Sequence, residues 1–284
     1  MEFYIVDCFA EEKYQGNQLA VFFSEGELAT EEMQAIAQEM HFSETTFVCS
    51  GDKGNCTFDV RIFTPDVEVP FAGHPTLGTA HLLREVYGIS SDETIYLDLP
   101  AGKIPVRGEG ELLFMTQNQP EFGLSVDSAD VARALSLEVS DVVAGAPVEL
   151  VSTGLEAIIA PLASLDALRR SHVNYDALRL VHERYCKCNV LVFVPTEEGI
   201  EVRVFMDDSG FPEDPATGSA NGCLAAYLLR HKTLGSADLA YTVAQGADVG
   251  RPSRLYVRAA KDGECCRIEV GGKARTVAKG VWLG

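Results

Sequence analysis

The chain has 284 residues, 46% hydrophobic, with 42 Asp and Glu against 23 Lys and Arg, a formal net charge of −19. That balance, spread along the chain, excludes the electrostatic footprint of a nucleic-acid or anionic-membrane binder, and no apolar run approaches the ~20 residues that span a bilayer. The N-terminus, Met1 to Asp7, has no basic region leading into an apolar core, so no signal peptide is expected and a cytoplasmic protein is.

Phe3–Phe9 and Gly16–Phe23 are rich in β-formers and read as strands. Thr30 is placed as the N-cap of a helix whose Met33, Ile36, Ala37 and Met40 share one face. Strands follow at Ser43–Val48 and Thr57–Phe63, then a loop over Thr64–Pro70 and a buried helix ending near Tyr87, with Gly88 beyond it. Further strands fall at Thr94–Leu99, Gly102–Arg107 and Glu111–Gln117. Asn118–Gly123 is the expected linker between two halves. Helical segments follow at Asp127–Leu135, Leu165–Arg170 and Tyr175–Tyr185, then strands at Asn189–Val194 and Ile200–Met206. A second buried helix leads to strands near Ala240–Ala244, Leu255–Ala259, Cys266–Val270 and Arg275–Lys279. Short turns and one buried helix per half indicate α+β rather than a doubly wound sheet.

The second buried helix is announced by Gly210-Phe-Pro-Glu-Asp-Pro-Ala-Thr-Gly-Ser-Ala-Asn-Gly222. Asp214 suits an N-cap and Pro215 the first helical position. Ala216–Leu229 carries no charge, so this helix belongs inside a domain. Its N-terminus offers backbone N–H groups and a positive dipole end to an anion such as a carboxylate. His74-Pro-Thr-Leu-Gly-Thr-Ala80 matches Asp214-Pro-Ala-Thr-Gly-Ser-Ala220, and upstream Arg61-Ile-Phe63 matches Arg203-Val-Phe205 with a slightly shorter connection in the second copy. Gly16–Val21 and Thr46–Val48 have weaker partners at Gly154–Ile159 and Leu191–Val194. Matches in one order indicate two related halves, with both helix ends expected to face one cleft and with His74 and Asp214 as equivalents.

Glu44, His74, Asp214 and Ser219 each have an ordinary structural role available: a solvated surface acid, two caps and a backbone-bonded hydroxyl. Together they supply an acid, an imidazole and two helix N-termini, which suits proton transfer beside a carboxylate. No G-x-S-x-G, Walker loop or G-x-G-x-x-G is present, and Cys186-Lys-Cys188 and Cys265-Cys266 lack zinc-knuckle spacing, so neither a nucleotide nor a metal is expected. The eight cysteines read as thiols of a reducing compartment. Gly246, Gly250, Pro252 and Ser253 form a turn whose amides suit an anion.

Phe63-Thr-Pro with Val69–Ala80, and Pro212–Ala220, resemble the two signature blocks of the phenazine biosynthesis PhzF-like family. Gly16–Val21, Phe42–Val48 and Gln245-Gly with Gly250–Ser253 resemble further blocks, so the resemblance runs end to end. It implies a diaminopimelate epimerase-like α+β fold of two pseudo-symmetric halves, each a curved, barrel-like sheet around a central helix. The N-terminal half is placed at 1–119, joined by a C-terminal strand at about 270–284, and the C-terminal half at 120–269. The resemblance implies an isomerase that needs no cofactor and moves a proton on a small carboxylated, amino-acid-like substrate. For the namesake this is trans-2,3-dihydro-3-hydroxyanthranilate. On that reading Glu44 is the general acid/base, and His74, Asp214 and Ser219 bind substrate with the Gly73 and Gly218 backbone. A homodimer is implied as well.

Epimerase relatives carry a cysteine at each helix start. Here those positions fall at Ala72 and near Pro215 or Ala216, which disfavours two-thiol racemisation. Gln18 and Met206-Asp-Asp208 depart from the family pattern, which puts the substrate in question. The competing readings are an amino-acid epimerase or racemase using Glu44 with Asp214, and a ligand- or protein-binding protein that has kept the fold.

Overall fold

The structure is a computed structural model that describes residues 1–24, 28–207, 210–263 and 265–283. Two compact units emerge, one of residues 1–116 with 271–284 and one of residues 117–270.

In the first unit β1 (Glu2–Cys8) pairs antiparallel with β2 (Asn17–Phe23). Helix α1 (Thr30–Met40) then crosses to β3 (Glu44–Val48), which lies parallel to β2 with Leu19 opposite Glu44. β4 (Thr57–Phe63) runs antiparallel to β3 and is bridged at its end by β5 (Glu68–Val69). α2 (Gly73–Tyr87) precedes β6 (Ile95–Leu99), β7 (Gly102–Glu109) and β8 (Leu112–Thr116). The last strand of the chain, Ala274–Val281, returns to pair with β1. α2 packs against β1, β2, β3, β6, β7, β8 and that last strand, so the sheet wraps around it. This is why the first half of the helix carries no ionisable side chain apart from the imidazole of His74: its residues from Gly73 to Ala80 are all buried, while its last turn, with Arg84 and Glu85, reaches the surface. α1 covers the outer face, where Met33 and Ile36 pack on Phe22, Phe47 and Phe63.

The second unit repeats the plan. β9 (Glu121–Ser125) pairs with β10 (Glu149–Ser152), and β10 with β11 (Glu156–Pro161). β12 (Asn189–Thr196) lies parallel to β11, and β13 (Gly199–Phe205) antiparallel to β12. β13 is bridged by β14 (Glu213–Asp214) and pairs in parallel with β15 (Asp238–Gln245), which joins β16 (Ser253–Asp262) and then β17 (Cys265–Gly272). α3 (Ser128–Ala134), α4 (Leu165–Arg170) and α5 (Tyr175–Arg184) contribute to an apolar cluster with Val190, Val192 and Phe205. α6 (Gly218–His231) is the central helix, packed against β10, β11, β12, β15 and β16. Each unit is thus a curved sheet around one buried helix, α+β in class.

Several local expectations are corrected. Thr30 is the first residue of α1, not its cap. The cap position is Ala29, and the Thr30 hydroxyl accepts a bond from Arg61 Nη2 at 3.0 Å. The loop expected at Thr64–Pro70 contains β5. Asn118–Gly123, expected as a linker, already belongs to the second sheet. The Gln119 side-chain amide bonds the Cys266 N–H and C=O, each at 2.9 Å, standing in for a backbone pair, and β9 starts two residues later. The strand Glu149–Ser152 has no counterpart in the sequence reading.

Candidate active site

β4 carries Arg61 and Phe63, with the guanidinium 5.1 Å from the ring centroid and forked onto Glu68 of β5 at 2.7 and 2.6 Å. α2 opens five residues after Glu68, at Gly73. Its N-cap, Ala72, is extended and has no side chain that could cap the first turn. Thr76 bonds back to the Ala72 carbonyl at 2.7 Å.

His74, in this first turn, is buried. Its Nδ1 faces Asn17 Nδ2 at 3.2 Å and its Nε2 faces Glu44 Oε2 at 3.4 Å. Burial pushes the imidazole down to about 3, opposed by a hydrogen bond to the Gln18 backbone. The ring is therefore neutral at physiological pH, and its contact with Glu44 is a polar contact rather than an ion pair.

Local conformation delivers both partners. Asn17 opens β2 directly after Gly16, whose φ is +69°. A Cβ at Gly16 would lie 2.1 Å from the Cys8 carbonyl oxygen, so only glycine fits there. His41, left-handed with φ 52°, ends α1 and turns the chain so that Glu44 opens β3, half-buried beside the N-terminus of α2.

The second unit builds the same frame from other residues. Arg203 stacks 4.8 Å over Phe205 and forks onto Glu213 at 3.0 and 2.5 Å. α6 opens five residues after Glu213, at Gly218, with Thr217 at the N-cap. Asn221 Nδ2 bonds back to the Thr217 carbonyl at 2.9 Å, as Thr76 does in the first unit. Asp214 is not the helix cap. It sits on β14 opposite Val204 and accepts the Thr217 hydroxyl at 2.5 Å. Gln245 Nε2 donates to the Asp214 carbonyl at 2.7 Å and to Thr217 Oγ1 at 3.1 Å, while Gln245 Oε1 accepts from Thr217 N and Asn221 Nδ2. Gly218 is buried and Ser219 half-buried in the first turn.

This register corrects the sequence matching. Anchored on the two ion pairs and the two bridges, Gly73 corresponds to Gly218, His74 to Ser219, Ala72 to Thr217 and Val69 to Asp214. His74 and Asp214 are not equivalents. The connection after Phe205 is longer than that after Phe63, residues 206–212 against 64–67, where a shorter one was expected. The Pro-to-Ala match of the two motifs was a similarity of composition, slid by five residues from the structural register. The second helix start therefore carries Thr217, not Pro215 or Ala216, and neither start has a thiol. β2 and β3 pair as β11 and β12 do, so Glu44 corresponds to Asn189 and the first unit alone has a carboxylate there.

Asn17, Thr217, Asn221 and Gln245 were missed. Gln245 lies in a block read as an anion-holding turn. The amides of Gly250 and Arg251 are bonded within that turn, to Ala247 and Gly246. Gln18 has an exposed side chain, and Asp208 lies outside the described residues. Among the described residues no helix is long and apolar enough to cross a membrane, and no group of three or more His, Cys, Asp or Glu is placed to hold a metal.

The phenazine biosynthesis-like protein model, PhzC-PhzF, matches residues 6–280. A trans-2,3-dihydro-3-hydroxyanthranilate isomerase of Pseudomonas fluorescens is 35% identical over 281 residues, covering 97% of each chain. An uncharacterized isomerase of Clostridium acetobutylicum is 34% identical, covering 97% of this chain and 96% of its own. The solved structure of a PhzF-family phenazine biosynthesis protein from Bacillus anthracis matches with a TM-score of 0.89 at 27% identity, covering 100% and 99% of the two chains. A probable proline racemase from Agrobacterium radiobacter shares the fold, with a TM-score of 0.68 at 10% identity over 100% and 93%. The chain is an isomerase and belongs to the phenazine biosynthesis-like PhzC-PhzF family.

Proposed function

We propose that this isomerase moves a proton between two carbons of a small carboxylated, amino-acid-like substrate, with Glu44 as the single acid/base. Trans-2,3-dihydro-3-hydroxyanthranilate, the compound in the name of the Pseudomonas relatives, is the first substrate to test. The observation that carries the reading is the contact of Glu44 Oε2 with a buried, neutral His74. An imidazolium there would hold Glu44 as an anion. A neutral ring adds no such charge, so the carboxyl can take a proton and return it. As carboxylate, Glu44 removes a proton from one carbon and the electron pair shifts through the conjugated system. As carboxylic acid, it returns the proton to another carbon, with no net change of oxidation state. His74, Asp214 and Ser219 bind the polar groups of the substrate, and the Gly73 and Gly218 backbone contributes at the helix starts, where the dipole favours a carboxylate.

Epimerisation by an acid on each face would pair Glu44 with Asp214 and is less well supported, because Asp214 Oδ2 is engaged by the Thr217 hydroxyl and neither helix start carries a thiol. The test is incubation with the dihydrohydroxyanthranilate in D2O, followed by NMR and ultraviolet absorbance. Conversion with deuterium entering at one carbon, absent in Glu44→Gln, supports the proposal. Loss of chirality at an α-carbon without double-bond migration supports the epimerase instead.

A further inference from the structure

Gln245 is 2% exposed, and its amide uses both donors and both acceptor positions. Two of its partners, the Thr217 N–H and the Asp214 C=O, are backbone groups whose polarity cannot reverse. They fix the amide orientation: Oε1 faces the N–H and Nε2 faces the C=O. Nε2 must then donate to Thr217 Oγ1 at 3.1 Å. The single hydroxyl proton of Thr217 is thereby directed to Asp214 Oδ2 at 2.5 Å. Asn221 Nδ2, held by the Thr217 carbonyl at 2.9 Å, supports the far end by donating to Gln245 Oε1 at 3.0 Å. The neighbouring cation, Arg203, is forked onto Glu213 and lies 3.7 Å from Asp248.

We propose that Gln245 and Thr217 are positioning residues for Asp214: a one-way chain of hydrogen bonds, fixed by the backbone, sets Asp214 Oδ2 as an acceptor and holds the carboxylate in one orientation. The first unit has no such chain, because Ala72 and Val69 occupy the places of Thr217 and Asp214. The functional consequence rests on the reading that Asp214 binds substrate; the chain itself does not.

Two measurements test this. The first is NMR of the intact protein with labelled threonine. The Thr217 hydroxyl proton should exchange slowly and give its own resonance, identified by its loss in Thr217→Val and displaced in Asp214→Asn. A hydroxyl that exchanges like a solvent-exposed threonine, or ignores Asp214→Asn, overturns the proposal, and this arm needs no activity. The second compares Thr217→Ser, Thr217→Val and Gln245→Met in the deuterium-incorporation assay. Losing a hydrogen bond to a charged group should lower kcat/KM roughly 10- to 100-fold, chiefly through KM, in Thr217→Val and Gln245→Met. Thr217→Ser, which keeps the hydroxyl, should restore most of it. Folded Thr217→Val with native kinetics overturns the proposal. If the unmodified chain leaves the compound untouched, the substrate reading fails and the hydroxyl resonance alone decides the chain.

Discussion

Glu44 Oε2 and His74 Nε2 lie 3.4 Å apart with no charge on the imidazole. Glu44→Gln keeps shape and polarity but cannot accept a proton, so turnover should fall about 10²- to 10⁴-fold with KM little changed. Glu44→Asp keeps the chemistry but withdraws it by one methylene, and should retain an intermediate rate. Deuterium incorporation measured across the three proteins checks this. Equal rates for native and Glu44→Gln would remove Glu44 from the mechanism.

The buried imidazole also leaves a mark on stability. Its folded value of about 3 lies below the ~6.5 of an unfolded histidine. As pH falls, the unfolded chain takes the proton first, so stability is full above about 6.5 and is lost as pH falls toward 3. The loss should approach ~1.4 kcal/mol per pH unit within that window, on the order of 5 kcal/mol in total. Urea unfolding of native and His74→Asn between pH 6.5 and 4.5 isolates it, because other groups titrate in both. The variant should show the shallower decline; parallel curves would mean that His74 accepts a proton in the folded state.

Fold class and most elements were legible because their causes are local. Thr57–Phe63 alternates in burial as strand residues do, and Leu165–Arg170 is bounded by an N-cap, Ser164, that accepts from Ala167 N. Glu44 was placed correctly at the helix-to-strand junction for the same reason. What the sequence hid was register across distance. Gly218 corresponds to Gly73 because two arginine–glutamate pairs and two bridges anchor both segments, and neither pairing is visible as a motif. Asp214-Pro-Ala-Thr looks like a helix start, yet Asp214 is held in a strand opposite Val204 and the helix begins only after Thr217. Gln245 is 28 residues from Thr217, a separation at which hydrogen bonding has no sequence periodicity.

Gly78 tests how closely α2 is held. A Cβ there would lie 2.4 Å from Cys8 Sγ and 2.7 Å from Leu19 Cδ2. Helix propensity alone favours alanine by ~1 kcal/mol, but overpacking costs roughly 1–3 kcal/mol. Gly78→Ala should therefore be destabilising, seen as a lower urea midpoint, and Cys8→Ala in the same chain should recover part of the loss. A rise in the midpoint for Gly78→Ala would show that β1 and β2 yield easily.

The two arginine–glutamate pairs are equivalent in place but not in environment. The side chains of Arg203 and Glu213 are 10% and 3% exposed, against 28% and 29% for Arg61 and Glu68. Arg203 also donates to the Leu168 and Ser171 carbonyls at 2.9 and 2.8 Å, joining α4 to β13. Glu213→Gln leaves the buried guanidinium only the more exposed Asp248, 3.7 Å away, as counter-charge and should cost about 3 kcal/mol. Glu68→Gln breaks a partly solvated pair and should cost roughly 1 kcal/mol or less. Replacing both partners by Arg203→Met with Glu213→Leu should recover much of the single-variant loss, because no charge is then stranded. Urea midpoints of the four proteins decide the matter. Equal costs for Glu213→Gln and Glu68→Gln would mean that water reaches the second pair as readily as the first, and that the frame holding Asp214 and Gly218 is looser than its burial indicates.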